Sequence, residues 1–167
     1  LQLAFAHGEP GSRYDLERVT TAATQNGDQI VLSGRKAVVA NAEAADMLVV
    51  SARESGEAGD RDGISLFLVP ADAKGLTVTG YALLAGGRAA EVTLDDVTLP
   101  ESARLGAPGK AFDAIETRTA KATAALCAET LGAMETACDL TREYLGTRKQ
   151  FGRPIGTFQA LAHRMAD

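Results

Sequence analysis

The residues best equipped for binding chemistry stand close together near the end of the chain. They form the run Arg148-Lys149-Gln150-Phe151-Gly152-Arg153-Pro154-Ile155, followed by Phe158-Gln159. The Arg148 guanidinium can meet a carboxylate or phosphate with two parallel hydrogen bonds. The Gln150 and Gln159 amides can donate, and the Phe151 ring offers a flat apolar surface. On residue types alone, the same group also describes a solvated helix end. Arg148 would then complement the helix dipole, with Phe151 and Phe158 in the core. Other reactive side chains form no constellation. His7 stands where a strand meets a loop, and His163 falls on a helix surface. No Ser/His/Asp order or Cys/His pair supports nucleophilic catalysis. Glu129 and Glu135 lie on different faces of one helical stretch, so they make no carboxylate pair. Asp60-Arg61-Asp62 and Arg53-Glu54 read as loop solvation. Gly86-Gly87-Arg88 has no helix pattern after it and reads as a surface turn, not a phosphate loop. Cys127 and Cys138 lack metal-ligand spacing and are expected as small core residues. No metal site is expected.

The elements that must position these residues change character along the chain. Its 167 residues are 46% hydrophobic and 23% charged, an ordinary globular mixture. The net charge of −5 argues against a nucleic-acid surface. Two cysteines suit a reducing compartment, and a cytoplasmic location is expected. No apolar run is long enough to span a membrane, and no signal peptide is visible. The chain opens without Met and ends on a helical pattern, so an internal fragment of a longer protein is expected.

The first two thirds read as short strands. Candidates are Leu1 to His7, Arg18 to Ala23, Ile30 to Leu32, Ala37 to Val39, Met47 to Ala52, Ile64 to Val69, Leu76 to Thr79 and Ala90 to Leu94. Gln25-Asn26-Gly27-Asp28 is a hairpin signal, and Ser33-Gly34 punctuates the following strand. Arg53 to Gly63 reads as an exposed loop. Such a series suggests a closed or nearly closed antiparallel barrel or sandwich. The period changes after Pro100, with Leu105 to Gly109 as the hinge. From Lys110 onward, Phe112, Ile115, Thr119, Ala122, Leu126, Thr130, Ala133 and Ala137 mark one side of a long helix. A second helix is expected from Thr157 as N-cap, with a Phe158, Leu161, Met165 stripe. Two faces this apolar need further helices to cover them. The expected fold is therefore α+β, with a β-domain over 1–105 and bundle helices over 106–167.

A small β-domain followed by a long helix and RKQFGRPI…FQ resembles the acyl-CoA dehydrogenases. Glu9-Pro10-Gly11 and Asp15 echo that family's TEPGAGSD loop. Val31 to Lys36 echoes its LNGxK turn, and Gly63 to Val69 and Leu94 to Pro100 match later strands. The resemblance implies the middle β-domain and the first two helices of a C-terminal four-helix bundle. It implies FAD between the two, partly held by a neighbouring subunit. The implied reaction is α,β-dehydrogenation of an acyl-CoA thioester, within fatty acid metabolism. A carboxylate base takes the α-proton, a β-hydride passes to the flavin, and electrons leave to an electron-transferring flavoprotein. The base would lie beyond Asp167, so no catalytic residue is expected within this chain. Arg148, Gln150, Phe151 and Gln159 match positions that contact the neighbour's FAD. Arg88 falls where the family approaches substrate and flavin, and His7 at the edge of the cofactor loop.

Several positions depart from the family pattern. Where a Thr touches the flavin ring, this chain has Gly8. Where a Ser reaches the substrate, it has Tyr14. The family's Trp-Ile-Thr-Asn segment, whose Trp covers the flavin and whose Thr bonds near N5, is here Val38-Val39-Ala40-Asn41. An alternative catalytic Glu of some members corresponds to Ala122, and an adjacent Arg to Thr123. The stretches GEPGSRYDL and ATAALCAETLGAM resemble the small subunits of heteromeric members, such as that of pimeloyl-CoA dehydrogenase. Two assemblies are therefore expected as alternatives. One is a catalytic homotetramer; the other is a heterotetramer in which this chain completes a partner's FAD site.

Overall fold

Apolar alternation places the strands of the sheet. A computed structural model describes residues 1–166 and divides into two units, Leu1–Thr117 and Arg118–Asp167. In the first unit, β1 (Leu3–Ala6), β2 (Ala22–Asn26), β3 (Gln29–Ala40), β4 (Met47–Arg53), β5 (Ile64–Pro70), β6 (Leu76–Ala82), β7 (Arg88–Pro100) and the short β8 (Arg104–Leu105) form one sheet. The path is β6-β7-β3-β2-β4-β5-β8, and β1 pairs with β4 in parallel. The sheet is thus mixed, and no closed barrel forms among the described residues. The inward residues of each strand (Ile30, Leu32, Leu48, Val50, Phe67, Val69, Val92 and Val97 among them) make one buried cluster.

Three local details differ from the expected pattern. The segment from Arg18 to Thr21 is irregular, and the strand starts at Ala22. Ser33-Gly34 does not end a strand. It marks one of two register shifts in the long β3–β7 pair, the other lying between Lys36 and Val39. At each shift one strand carries an extra residue, so the strand bends and continues. Arg53 is buried, contrary to its reading as a solvated loop residue. Its guanidinium donates to the carbonyls of Val19, Glu17, Ser55, Ala58, Asp60 and Asp62, so the 54–63 loop is wrapped around it. Glu54 is not solvation either. It receives a two-pronged contact from Arg104 at 2.6 and 3.1 Å and a hydrogen bond from Ser65.

The helix α1 (Phe112–Thr147) starts in the first unit, where Phe112 and Ile115 pack with Val19, Ile64 and Ala111. Within the second unit its side chains are almost all exposed, including Leu126, Leu131, Met134, Leu140 and Tyr144. Cys127 and Cys138 are exposed free thiols as well, not core residues. Four of the seven threonines in α1 bond the carbonyl one turn back, as Thr130 does to Leu126 and Thr141 to Ala137, which satisfies those hydroxyls inside the helix. After α1, β9 (Lys149–Gln150) and β10 (Arg153–Pro154) form a tight hairpin. Then α2 (Gln159–Ala166) begins. Thr157 does not cap it: its hydroxyl donates to the Pro154 carbonyl at 2.7 Å inside a single 3-10 turn.

Candidate functional site

In the first unit, the candidate residues gather around a buried ion pair. Lys36 falls on the inward face of β3, in step with Ile30 and Leu32, and its side chain is 0% exposed. A lone ammonium there would be costly, so it needs an anion and further acceptors. Glu9 supplies the anion at 2.7 Å, and Ser51 Oγ and the His7 carbonyl accept the other two protons at 3.0 and 3.3 Å. Glu9 is itself saturated. Its Oε2 accepts from the Thr20 amide at 2.7 Å and hydroxyl at 2.5 Å. Its Oε1 accepts from the Thr21 amide at 2.9 Å and hydroxyl at 2.6 Å. Burial alone would raise the Glu9 pKa, but Lys36 and these donors overcome it and hold the carboxyl at about 2. Burial draws the Lys36 ammonium down to about 8 against the favourable charge of Glu9.

The ion pair fixes the loop that follows β1. Ser12 Oγ and the Glu9 backbone exchange hydrogen bonds at 2.9 and 3.0 Å, and the Ser12 carbonyl accepts from the Asp15 amide. Tyr14, on this pedestal, is 95% exposed. The loop is tied to β3 where the Ala37 amide donates to the Gly8 carbonyl at 2.8 Å. That contact uses the second bulge, in which Val38 stands at φ +55 and 62% exposed. A β-branched residue in the left-handed region is strained by roughly 1–2 kcal/mol. The strain is held by Glu91, whose Oε1 accepts from the Tyr81 hydroxyl at 2.9 Å and the Val38 amide at 3.4 Å.

The structure thus brings Gly8 and Val38 to neighbouring backbone, with His7, the residue before Gly8, in the Lys36 network. Ala40 is exposed and pairs with Ala89 beyond the bulge. His7 is buried, its Nδ1 2.9 Å from Ser51 Oγ and its ring stacked on Phe5 at 5.6 Å. Burial first, and the Lys36 charge second, lower its pKa to about 4. Arg88 is engaged by Glu43, with contacts of 2.6 and 3.1 Å, on an exposed surface.

In the second unit, the hairpin presents the other candidates. Its turn residues Phe151 and Gly152 both have positive φ, 53 and 80°. Two-residue hairpins favour this turn because it matches strand twist, though Asn-Gly is the usual filling. Phe151 is held there 90% exposed, its ring edge-on to Phe158 at 6.1 Å. Arg153 lies over the Phe158 ring at 4.3 Å. Arg148 is exposed and makes no side-chain hydrogen bond or ion pair among the described residues. The Gln150 amide turns to its neighbour's carbonyl at 2.9 Å. The Gln159 amide lies 3.4 Å from His163 Nε2.

Models of the acyl-CoA dehydrogenase middle domain and of the acyl-CoA dehydrogenase C-terminal domain match residues 4–97 and 109–167. The chain belongs to the acyl-CoA dehydrogenase family. It is 34% identical over 98% of its length to the probable acyl-CoA dehydrogenase YngJ of Bacillus subtilis, covering 44% of that protein. It is 32% identical over 99% of its length to the caffeyl-CoA reductase-Etf complex subunit CarC of Acetobacterium woodii, again covering 44%. Among solved structures, the FAD complex of PigA superposes with a TM-score of 0.90 at 26% identity, over 98% of this chain and 43% of that one. The chain spans less than half the length of these relatives.

Sequence reasoning passed over Ser51, Thr20, Thr21 and Glu91, and gave Glu9 and Lys36 no role beyond the motif. One signal was available: in the period-two pattern of β3, Lys36 takes an inward position, and an inward charge demands a partner. Among the described residues, no cluster of three or more His, Cys, Asp or Glu side chains is gathered for a metal. No described helix is long and apolar enough to cross a membrane.

Proposed function

We propose that this chain contributes to an FAD-dependent acyl-CoA dehydrogenase, with residues 1–105 as the middle β-domain and 106–167 as the start of the helical bundle. The observation that carries this reading is the hairpin corner. Phe151 is displayed at a strained left-handed φ and 90% exposed, next to an Arg148 whose side chain has no partner among the described residues. A strained, outward aromatic beside a free guanidinium suits a ligand with both a flat ring and a phosphate. Arg148 would meet the pyrophosphate of FAD, Phe151 would pack on its adenine end, and Gln150 and Gln159 would turn their amides to it. When bound, FAD supplies the redox chemistry, and the protein supplies position and electrostatics. The substrate would be an acyl-CoA thioester approached by Tyr14 and, once released from Glu43, Arg88. The Etf named for CarC supports an electron-transferring flavoprotein as acceptor.

A second reading has its own support in the first unit. Gly8, Val38 and Ala40 offer the cofactor face no side-chain donor and no aromatic ring. That thinning favours a non-catalytic subunit that completes the FAD site of a related partner in a heterotetramer. Flavin per chain separates the two readings. The full-length protein is purified alone and after co-expression with a related subunit, and bound FAD is measured by absorbance. One FAD per chain in the isolated protein supports the catalytic homo-oligomer. Flavin acquired only with the partner supports the second reading. No flavin in either sample overturns both.

A further inference from the structure

The proton ordering around His7 follows from counting donors. Lys36 has three ammonium protons and three acceptors: Glu9 Oε1, Ser51 Oγ and the His7 carbonyl. Ser51 is fully buried, and its hydroxyl has only two side-chain partners among the described residues, Lys36 and His7 Nδ1. Lys36 can only donate, so the one hydroxyl proton of Ser51 must go to His7 Nδ1. A neutral imidazole that accepts at Nδ1 carries its proton on Nε2. His7 directly precedes the loop from Gly8 to Asp15, and its own carbonyl accepts from Lys36. Glu9, the second residue of that loop, is bound to Thr20 and Thr21 on its far side.

We infer that Lys36 and Ser51 are positioning residues that act through His7, locking it as the Nε2–H tautomer and so anchoring the start of the Gly8–Asp15 loop. The order runs from Glu9 to Lys36, Ser51 and His7, with each donor facing one acceptor. Phe5, stacked on the imidazole, keeps the ring plane fixed. The loop so anchored presents Arg13, at φ +50, and the exposed Tyr14. This inference rests on the proposed function only in taking that loop as part of the ligand-binding face.

The test uses full-length protein labelled with ¹⁵N-histidine, with the His7 signals assigned by their loss in His7→Gln. Near neutral pH, wild type should show Nδ1 unprotonated and Nε2 protonated. Ser51→Ala should populate the second tautomer and speed amide exchange across residues 8–18, by roughly tenfold for one lost hydrogen bond. Ser51→Thr, which restores the hydroxyl, should return both readouts toward wild type. A wild-type His7 protonated on Nδ1 overturns the inference, as does a Ser51→Ala loop that exchanges at the wild-type rate. Flavin content is read on the same samples. A wild type that stays flavin-free even when co-expressed with a related subunit counts against the proposed function, while tautomer and exchange still decide the inference.

Discussion

Replacing Glu9 by Gln changes one oxygen to an amide nitrogen and leaves the shape intact, yet no orientation of the new side chain fits. At the Oε2 position the NH₂ would face the Thr20 amide, now 2.7 Å away. At the Oε1 position it would face the Thr21 amide at 2.9 Å and Lys36 at 2.7 Å. Backbone amides cannot become acceptors, so one N–H is set against another whichever way the group turns. Lys36 also loses its counter-charge in a fully buried position. Breaking a buried pair by removing one partner costs about 3–5 kcal/mol. For a chain of this size that lowers the melting temperature by roughly 6–20 °C. Thermal and urea unfolding followed by circular dichroism measure it.

The pH dependence gives a second check on the same variant. The folded Glu9 pKa, at about 2, lies below its ordinary value of 4.5. Its contribution is therefore fully present above 4.5 and lost as pH falls through 2. The gap between wild type and Glu9→Gln should shrink across that window. Adding Lys36→Met to Glu9→Gln should recover part of the lost stability, because the orphaned charge is removed while the new amide still meets the Thr20 or Thr21 N–H. A Glu9→Gln cost below about 1 kcal/mol, or a gap that ignores pH, would refute the reasoning, since exposed pairs behave that way.

Arg53→Met should orphan six carbonyls, cost about 3–5 kcal/mol and speed limited proteolysis within residues 54–63, as read by denaturant melts and mass spectrometry. Val38→Gly should relieve the left-handed strain and stabilise the protein by roughly 1 kcal/mol, since the bulge is held by the Val38 amide and not its side chain; a destabilised variant would show that the isopropyl group packs. Arg148→Lys keeps the charge but loses the two-pronged geometry, so it should weaken FAD retention in the assembled protein by roughly tenfold while leaving the melting curve of the flavin-free protein unchanged.

Strand positions were legible because the inward residues of β3, β4, β5 and β7 alternate with outward ones. The second bulge was not, because an inserted residue shifts register without changing composition, and Ala37-Val38-Val39 reads as plain strand. Arg53 was hidden for a related reason. Its partners are backbone carbonyls, which carry no residue-type signature, so an Arg beside a charged, Gly-rich loop looked solvated. At Phe151-Gly152 a helix end was legible but the hairpin was not, since the turn rests on the positive φ of Phe151 and the outward ring on its 90% exposure. The thiols of Cys127 and Cys138 failed on a different ground. An apolar helix stripe records what can be buried, not what covers it.

The buried pair also bears on why the loop needs polar chemistry at all. Apolar residues in place of Glu9 and Lys36 would be spared the desolvation of two ions, but would leave the Thr20 and Thr21 amides without an acceptor. Apolar packing could not supply direction. The Glu9 carboxylate takes five donors from three residues, and Lys36 spreads three protons over three segments. Each bond weakens as it bends away from linearity, so together they fix β1, β3, β4 and the Thr20–Thr21 segment relative to one another at the Gly8 turn. A backbone held that firmly can shape a ligand face even where Gly8, Val38 and Ala40 bring no donor of their own. On that ground the scaffold is compatible with flavin held mainly through backbone contacts, and the measured flavin per chain tests whether those contacts suffice.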